Sequence, residues 1–290
     1  MKSQMSQTRK RKKMKINKII IFFCFLFLLQ PIKADDKLDK DLRLSAMLGD
    51  VDEVVTLIRS GANINSANKF GKTALMMAIE NENQDVANTL LNLGADPNLK
   101  TVANCTALTF AAENNHILTI VRLLKRNVDI DNRTRQGWDA MMIAAKNGYV
   151  GIVELLLRAG SEINIKNKDG DTALLMATKA RKIDVVRTLL YHRSDLAEAN
   201  KNLQTSLHIA TNNKDYELVR LLLNHRANIN AQDNIGETPL MYAVDNNDYS
   251  LVDMLLFRGA NKNITNKQGK TAKQLSVENK FSNITNLLKR

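Results

Sequence analysis

Four histidines and one cysteine are the residues beyond position 34 whose types best suit catalysis or metal binding: His116, His192, His208, His225 and Cys105. Imidazole and thiolate groups act as general bases, nucleophiles and zinc ligands. His192 and His225 fall in equivalent zones of neighbouring copies of a repeat described below. No convincing third ligand accompanies them, and zinc sites use at least three protein ligands. We therefore predict no catalytic residue, no metal site and no cofactor.

A recurring asparagine is the other candidate for polar chemistry. It is found at Asn81, Asn114, Asn147, Asn213, Asn246 and Asn279. All six lie at one place in a 33-residue period, so they are better explained as the ends of helices than as reactive groups. The chain also lacks a glycine-rich phosphate loop and a nucleophile elbow.

The 33-residue period governs the chain from about residue 40 to the end. One column holds a hydroxyl or carboxylate residue: Thr73, Thr106, Asp139, Thr172, Thr205, Thr238 and Thr271. Five residues further on is a column of alanine: Ala78, Ala111, Ala144, Ala177, Ala210 and Ala243. Seventeen residues after the first column comes leucine: Leu90, Leu123, Leu156, Leu189, Leu222, Leu255 and Leu288. Several independent columns in one phase indicate a stack of similar units.

Each copy is predicted to form two short helices and a turn. The first column would cap the first helix, the alanines would allow close helix contact, and the leucines would form the buried face of the second helix. Glycines would end that second helix in the left-handed region: Gly61, Gly94, Gly160 and Gly259. Asn127, Arg193 and Arg226 replace this glycine, and arginine is strained there. We therefore expect residues 190–230 to be the softest part of the stack.

This pattern resembles the ankyrin repeat. The segment Gly236-Glu237-Thr238-Pro239-Leu240-Met241-Tyr242-Ala243 is similar to the start of that repeat, and Val153-Glu154-Leu155-Leu156-Leu157-Arg158-Ala159-Gly160 to its second half. The resemblance implies an all-α repeat solenoid over residues 35–290, with about eight repeats. We place them at 37–66, 71–100, 104–133, 137–166, 170–199, 203–232, 236–265 and 269–290. The first and last are expected to be capping repeats with charged outer faces, at Asp39 and neighbouring residues and at Lys273 and Ser276.

Residues 1–34 are predicted to be a secretory signal peptide. A basic run precedes eleven apolar residues, 19–29, and Ala34 precedes an acidic start. Eleven residues span about 17 Å of helix, too little for a hydrocarbon core of about 30 Å. We expect cleavage after Ala34 and export to the periplasm or the medium. The alternative is a membrane-tethered periplasmic scaffold that keeps this segment uncleaved, and the start at Met1 or Met14 stays open.

The charge distribution argues against a nucleic-acid partner. The whole chain carries a net charge of +12, but the first 34 residues hold nine basic residues and no acidic ones. The remaining 33 basic and 30 acidic residues leave only +3. The 33 asparagines, with many lysines and isoleucines, have A/T-rich codons, and the chain resembles secreted ankyrin proteins of bacteria.

The resemblance implies a protein partner, which in ankyrin repeats contacts the turn tips and the exposed side of the first helices along a concave groove. We expect the chain to act as a monomer, without nucleic acid and without a membrane once the signal is removed. The candidate contact residues are Phe70, Val102, Cys105, Arg135, Trp138 and Lys146. Trp138 could instead fold back onto its own turn. An enzyme is not expected, since 256 residues after Ala34 hold about eight repeats and no further domain.

Overall fold

The protein, described here from a computed structural model for residues 36–289, is built from consecutive helix pairs. The helices over these residues are α1 (Asp36–Leu48), α2 (Val51–Arg59), α3 (Ala74–Glu80), α4 (Gln84–Asn92), α5 (Ala107–Glu113), α6 (Ile117–Leu124), α7 (Ala140–Asn147), α8 (Val150–Arg158), α9 (Ala173–Lys179), α10 (Ile183–Tyr191), α11 (Ser206–Asn212), α12 (Tyr216–Asn224), α13 (Pro239–Asp245), α14 (Tyr249–Phe257), α15 (Ala272–Glu278) and α16 (Ser282–Lys289). Between residues 36 and 289 there is no strand, only isolated bridges such as Ala67 to Thr73. The predicted all-α repeat solenoid is confirmed. The predicted signal peptide, cleavage site included, lies outside the described residues.

The predicted capping residues begin the first helix of each pair from α3 onward. Thr73 accepts a hydrogen bond from the backbone N–H of Met76 at 3.3 Å, and Asp139 accepts one from Met142 at 2.7 Å. These bonds satisfy a backbone donor that has no helical acceptor. The asparagine column also has its expected place, since Asn81 is the residue that ends α3.

The core is a continuous apolar layer between the two helices of each pair and between neighbouring pairs. The alanine column from Ala78 to Ala243 is fully buried, and the leucine column is fully buried from Leu90 to Leu255. Each first helix contacts the first helices before and after it, as α7 does with α5 and α9. Only a methyl group fits at this closest approach, which explains the alanine.

The second helices end in left-handed residues, as predicted. Gly160 has φ 92°, and the substitutes Asn127, Arg193 and Arg226 have φ of 51°, 64° and 67°. Leu203, where other turns have glycine, is also left-handed with φ 56°, and the structure adds two positions that the sequence did not reveal, Arg181 and Lys214, with φ of 55° and 53°. Residues 181–226 therefore hold five such positions occupied by neither glycine nor asparagine.

Two residues that we placed on the outer faces of the end repeats are buried instead, whereas Asp36, Lys37 and Lys40 are exposed as predicted. Asp39 is buried, because its Oδ1 accepts a hydrogen bond from the backbone N–H of Asn63 at 2.7 Å. Ser276 is also fully buried, with its hydroxyl 2.8 Å from that of Thr285. Lys273 is exposed as expected. These polar side chains thus satisfy buried backbone or hydroxyl groups instead of facing water.

Candidate functional site

The turn tips of successive repeats are joined into one ladder by backbone hydrogen bonds. In each, an N–H of one turn donates to a carbonyl of the turn before it. The bonds run from Val102 to Phe70 (3.0 Å), Arg135 to Ala103 (2.8 Å), Lys168 to Gln136 (3.1 Å), Lys201 to Asp169 (2.9 Å), Asn234 to Asn202 (2.9 Å) and Lys267 to Ile235 (2.9 Å). We call this the tip ladder. It fixes the spacing of the side chains that the tips carry.

A polar residue five positions before each cap holds the turn in shape. In the first such turn, Oδ1 of Asn68 accepts from the N–H groups of Phe70 at 2.9 Å and Lys72 at 3.0 Å. Asn167, Asn200, Asp233 and Asn266 make the same pair of bonds. Sequence analysis did not single out this column, although its 33-residue recurrence was the signal that would have revealed it.

In several repeats the residue just before the cap contacts the end of the first helix of the same repeat. Lys72 pairs with Glu80 at 2.6 Å, Lys179 with Asp171 at 2.6 Å, and Lys270 with Glu278 at 2.7 Å. In one of the two repeats between the first two of these pairs, Lys146 lies over the ring of Trp138. Because these contacts bring turn and helix side by side, the tip ladder and the first helices form one surface, which we call the groove face.

Phe70, Val102 and Arg135 come together on the tip ladder. The side chains of Phe70 and Val102 are 54% and 60% exposed. Nη2 of Arg135 donates to the carbonyl oxygen of Val102 at 3.2 Å, and Nζ of Lys69 lies 5.0 Å from the centre of the Phe70 ring. Two adjacent apolar side chains, Phe70 and Val102, are thus exposed to solvent with a cation on either side.

Cys105 and Trp138 are only half-exposed, which differs from the exposed apolar cluster that we predicted. The Trp138 ring packs against the core from its turn, and its Nε1 is buried without a hydrogen-bond partner. The Cys105 Sγ lies 3.9 Å from the carbonyl oxygen of Ala103 in its own turn. For Trp138 the reason is its contact with Lys146, because the ring lies against its own first helix rather than pointing outward. Trp138 therefore forms part of the floor of the groove face, whereas Phe70 and Val102 form its rim.

One repeat holds like charges at these two positions of turn and helix. Glu237 and Asp245 occupy the two positions that hold a lysine and a carboxylate elsewhere. Burial, followed by the carboxylates of Asp245 and Asp233, raises the pKa of Glu237, and burial raises the pKa of Asp245. Neither carboxylate has a cation within ion-pair distance in the described part of the chain.

His208 has a structural role in this fold. His208 is fully buried: its Nδ1 lies 2.9 Å from Oγ1 of Thr205, and its Nε2 lies 3.1 Å from the carbonyl oxygen of Glu237. Burial lowers the pKa of both His208 and His116. Within residues 36–289, no three His, Cys, Asp or Glu side chains are grouped so that they could hold a metal ion.

Comparison with known families agrees with this architecture. A family model for ankyrin repeats in three copies matches residues 23–101, 98–167, 141–233 and 195–266, which together cover most of the chain. No curated protein matches the sequence. Ankyrin repeats generally mediate protein–protein interaction and are typically non-catalytic. By period, helix pairing, cap chemistry and family match, the chain belongs to the ankyrin repeat family.

Proposed function

We propose that this protein binds another protein through the groove face, as a monomer and without catalysis. The observation that carries the proposal is the pair Phe70 and Val102, two large apolar side chains more than half exposed on adjacent rungs of the tip ladder. Their backbones are hydrogen-bonded to each other, so the chain pays little additional conformational entropy when a partner covers them. Trp138 lies on the same face, and tryptophan and arginine are enriched at binding hot spots.

The outer side of the second helices is the rival surface. Tyr191 and Phe257 are 82% and 88% exposed there. They lie two repeats apart with the polar Asn224 at the equivalent position between them. Ile117, Leu118, Tyr216 and Tyr249 are also exposed on second helices, but no backbone hydrogen bond joins them from repeat to repeat as one joins Phe70 and Val102. The adjacent pair on the tip ladder is therefore the stronger candidate.

We further propose that the protein is a bacterial protein that acts after export, in the periplasm or outside the cell. The support is the order of residues 1–34: a basic run, a short apolar run and a small residue before an acidic start. None of the helices in residues 36–289 is long and apolar enough to cross a membrane.

Affinity capture with matched variants tests the binding face. The bait is the full chain purified after export from an expression host, compared with Phe70→Ser/Val102→Ser and with the control Tyr191→Ser/Phe257→Ser. Both variants remove two exposed apolar side chains, so nonspecific hydrophobic binding should fall equally in the two. We expect a protein retained by the parent and the control to be lost by the groove variant. Retention by the groove variant with loss by the control would move the interface to the second helices and defeat the proposal.

A further inference from the structure

The tip ladder carries a row of cations that have no carboxylate partners. Five of its seven outermost positions are basic and exposed: Lys69, Arg135, Lys168, Lys201 and Lys267. Within the described residues, none of these five forms an ion pair, whereas Lys72, Lys179 and Lys270, one column deeper, each pair with a carboxylate. Carboxylates of the same repeat neutralise the lysines of the inner column. The cations of the outer row are available to a binding partner.

Apolar and aromatic groups are interleaved with the first cations of the row. Phe70 and Val102 fill the space between Lys69 and Arg135 on the ladder. Below them, Nζ of Lys146 lies 4.7 Å from the centre of the Trp138 ring, and Lys146 has no ion pair with any described carboxylate. An occupant of this end must therefore offer both negative charge and apolar surface.

The acidic pair Glu237 and Asp245 limits how far a negative occupant extends. Two carboxylates that face each other without a cation repel an anionic group and attract a basic one. Within the groove face they lie in the repeat after Lys201. A negatively charged stretch of a binding partner therefore fits along the ladder from Lys69 to Lys201. A positively charged side chain of the same partner fits next to it, at Glu237.

We infer that the partner is an extended protein segment whose acidic, aromatic- or aliphatic-bearing stretch lies along the tip ladder from Lys69 to Lys201, followed by a basic residue at Glu237 and Asp245. This inference rests on the proposed function and names its partner class. Neighbouring first helices pack about 10 Å apart, so four steps span about 40 Å. An extended chain covers that distance with about 12 residues at about 3.3 Å each.

A nucleic acid also carries the negative charge that the row of cations attracts, but it fits the rest of the face less well. Phe70 and Val102 lie at the outermost level, where a phosphate backbone would pass. Glu237 and Asp245 would both repel it. The protein segment satisfies the two apolar side chains and the acidic pair as well as the cations.

Selection from a phage-displayed library of random 16-residue peptides tests the inference on the full chain purified after export. We expect the enriched peptides to exceed the unselected library in Asp and Glu, and to carry an aromatic or large aliphatic residue among them. The most enriched peptide is then synthesised with a fluorescent label and its Kd measured by anisotropy. Lys69→Glu/Arg135→Glu/Lys168→Glu should weaken binding at least tenfold, and the affinity of the parent should fall as salt is raised.

A charge-matched control separates this site from net charge alone. Arg122→Glu/Lys125→Glu/Arg220→Glu changes the charge equally on the second helices, and should leave the Kd within a factor of two. Glu237→Gln/Asp245→Gln should weaken the binding of a peptide only if that peptide carries a basic residue after its acidic stretch. An equal loss with the control triple would overturn the inference.

The remaining outcomes distinguish the inference from the proposed function. Enriched peptides that are neutral or basic, yet lose binding in Phe70→Ser/Val102→Ser, would overturn the inference and leave the groove face as the binding site. Peptides whose Kd is unchanged in every groove variant would contradict both the inference and the proposed function. Absence of any enrichment would overturn the inference, because it requires a linear segment. Tighter binding of a 20-nucleotide polyuridylate than of the best peptide, lost in the tip triple, would identify a nucleic acid instead.

Discussion

The ammonium Nζ of Lys146 lies 4.7 Å from the centre of the Trp138 ring, and the same two positions of the next repeat hold the ion pair between Lys179 and Asp171. A cation–π contact and a salt bridge thus serve one geometric purpose, which is to hold the turn against the first helix. Exposed contacts of either kind contribute no more than about 1 kcal/mol to stability.

Trp138→Ala is expected to destabilise the protein by about 1–2 kcal/mol, since the half-buried ring loses apolar contact with the core. Lys146→Ala should cost no more than about 1 kcal/mol. Urea unfolding measures both. Because Trp138 is the only tryptophan, its emission reports on this repeat directly. Red-shifted emission in the folded state, with no stability change in Trp138→Ala, would show that the ring is not packed as described.

Asp139→Thr is expected to stabilise the protein at neutral pH. Burial raises the pKa of Asp139 from its ordinary 3.8 to about 6. Between these values the folded state holds a proton that the unfolded state has released, so the free energy of unfolding falls as pH rises through this window and stays lower above it. Two pKa units correspond to about 3 kcal/mol. Threonine caps most other first helices here, so the cap itself is retained.

The test of this prediction is the difference in unfolding free energy between Asp139→Thr and the parent, measured from pH 4 to pH 8. The difference should grow across the window and level off above pH 6. A constant difference would contradict a raised pKa, and a variant less stable than the parent at pH 8 would show that the carboxylate contributes more as a cap than its burial costs.

Hydrogen exchange should be faster in residues 190–230 than in residues 238–260. Repeats contact only their neighbours, so a strained repeat opens locally. Arg193→Gly and Arg226→Gly should each stabilise by up to about 1 kcal/mol, because glycine adopts their positive φ without strain. Gly160→Arg is the reverse substitution at an equivalent site and should cost a similar amount. Equal protection from exchange in both segments would show that the left-handed arginines do not destabilise their repeats.

Gly236→Ala should cost more stability than Gly259→Ala. Both glycines have positive φ, of 80° and 90°, so both substitutions carry the backbone cost of about 1 kcal/mol. A Cβ at Gly236 would lie 2.8 Å from the backbone N of Lys267 in the next turn, whereas one at Gly259 would meet nothing within 4 Å. We expect about 1–3 kcal/mol of additional cost at Gly236 from this overlap. Equal midpoints in thermal unfolding would contradict the close turn-to-turn approach.

The exported protein should begin at Asp35. The short apolar run and Ala34 carry this prediction. N-terminal sequencing of the form recovered outside the inner membrane checks it. A membrane-bound species that keeps the full mass of 32.6 kDa would instead support the uncleaved scaffold.

The repeat architecture could be predicted from the sequence, because the contacts that shape each repeat recur with the 33-residue period. Thr73 caps α3 three residues away, Ala78 lies at the close approach of neighbouring first helices, and Leu90 is buried in the core. These requirements recur in phase, so the period revealed them without any knowledge of distant contacts. The left-handed Arg193 was also predictable, because its position in the repeat demands a helix end.

Which turn residues are exposed on the groove face could be learned only from the three-dimensional structure. Trp138 and Phe70 both occupy turns, yet one lies against its first helix and the other lies at the rim, because the direction of a side chain depends on how the turn folds over the helix beside it. The facing carboxylates of Glu237 and Asp245, eight residues apart, likewise became neighbours only through that fold. The tip ladder required still more, since its hydrogen bonds join residues of different repeats and no local pattern states which carbonyl an N–H will meet.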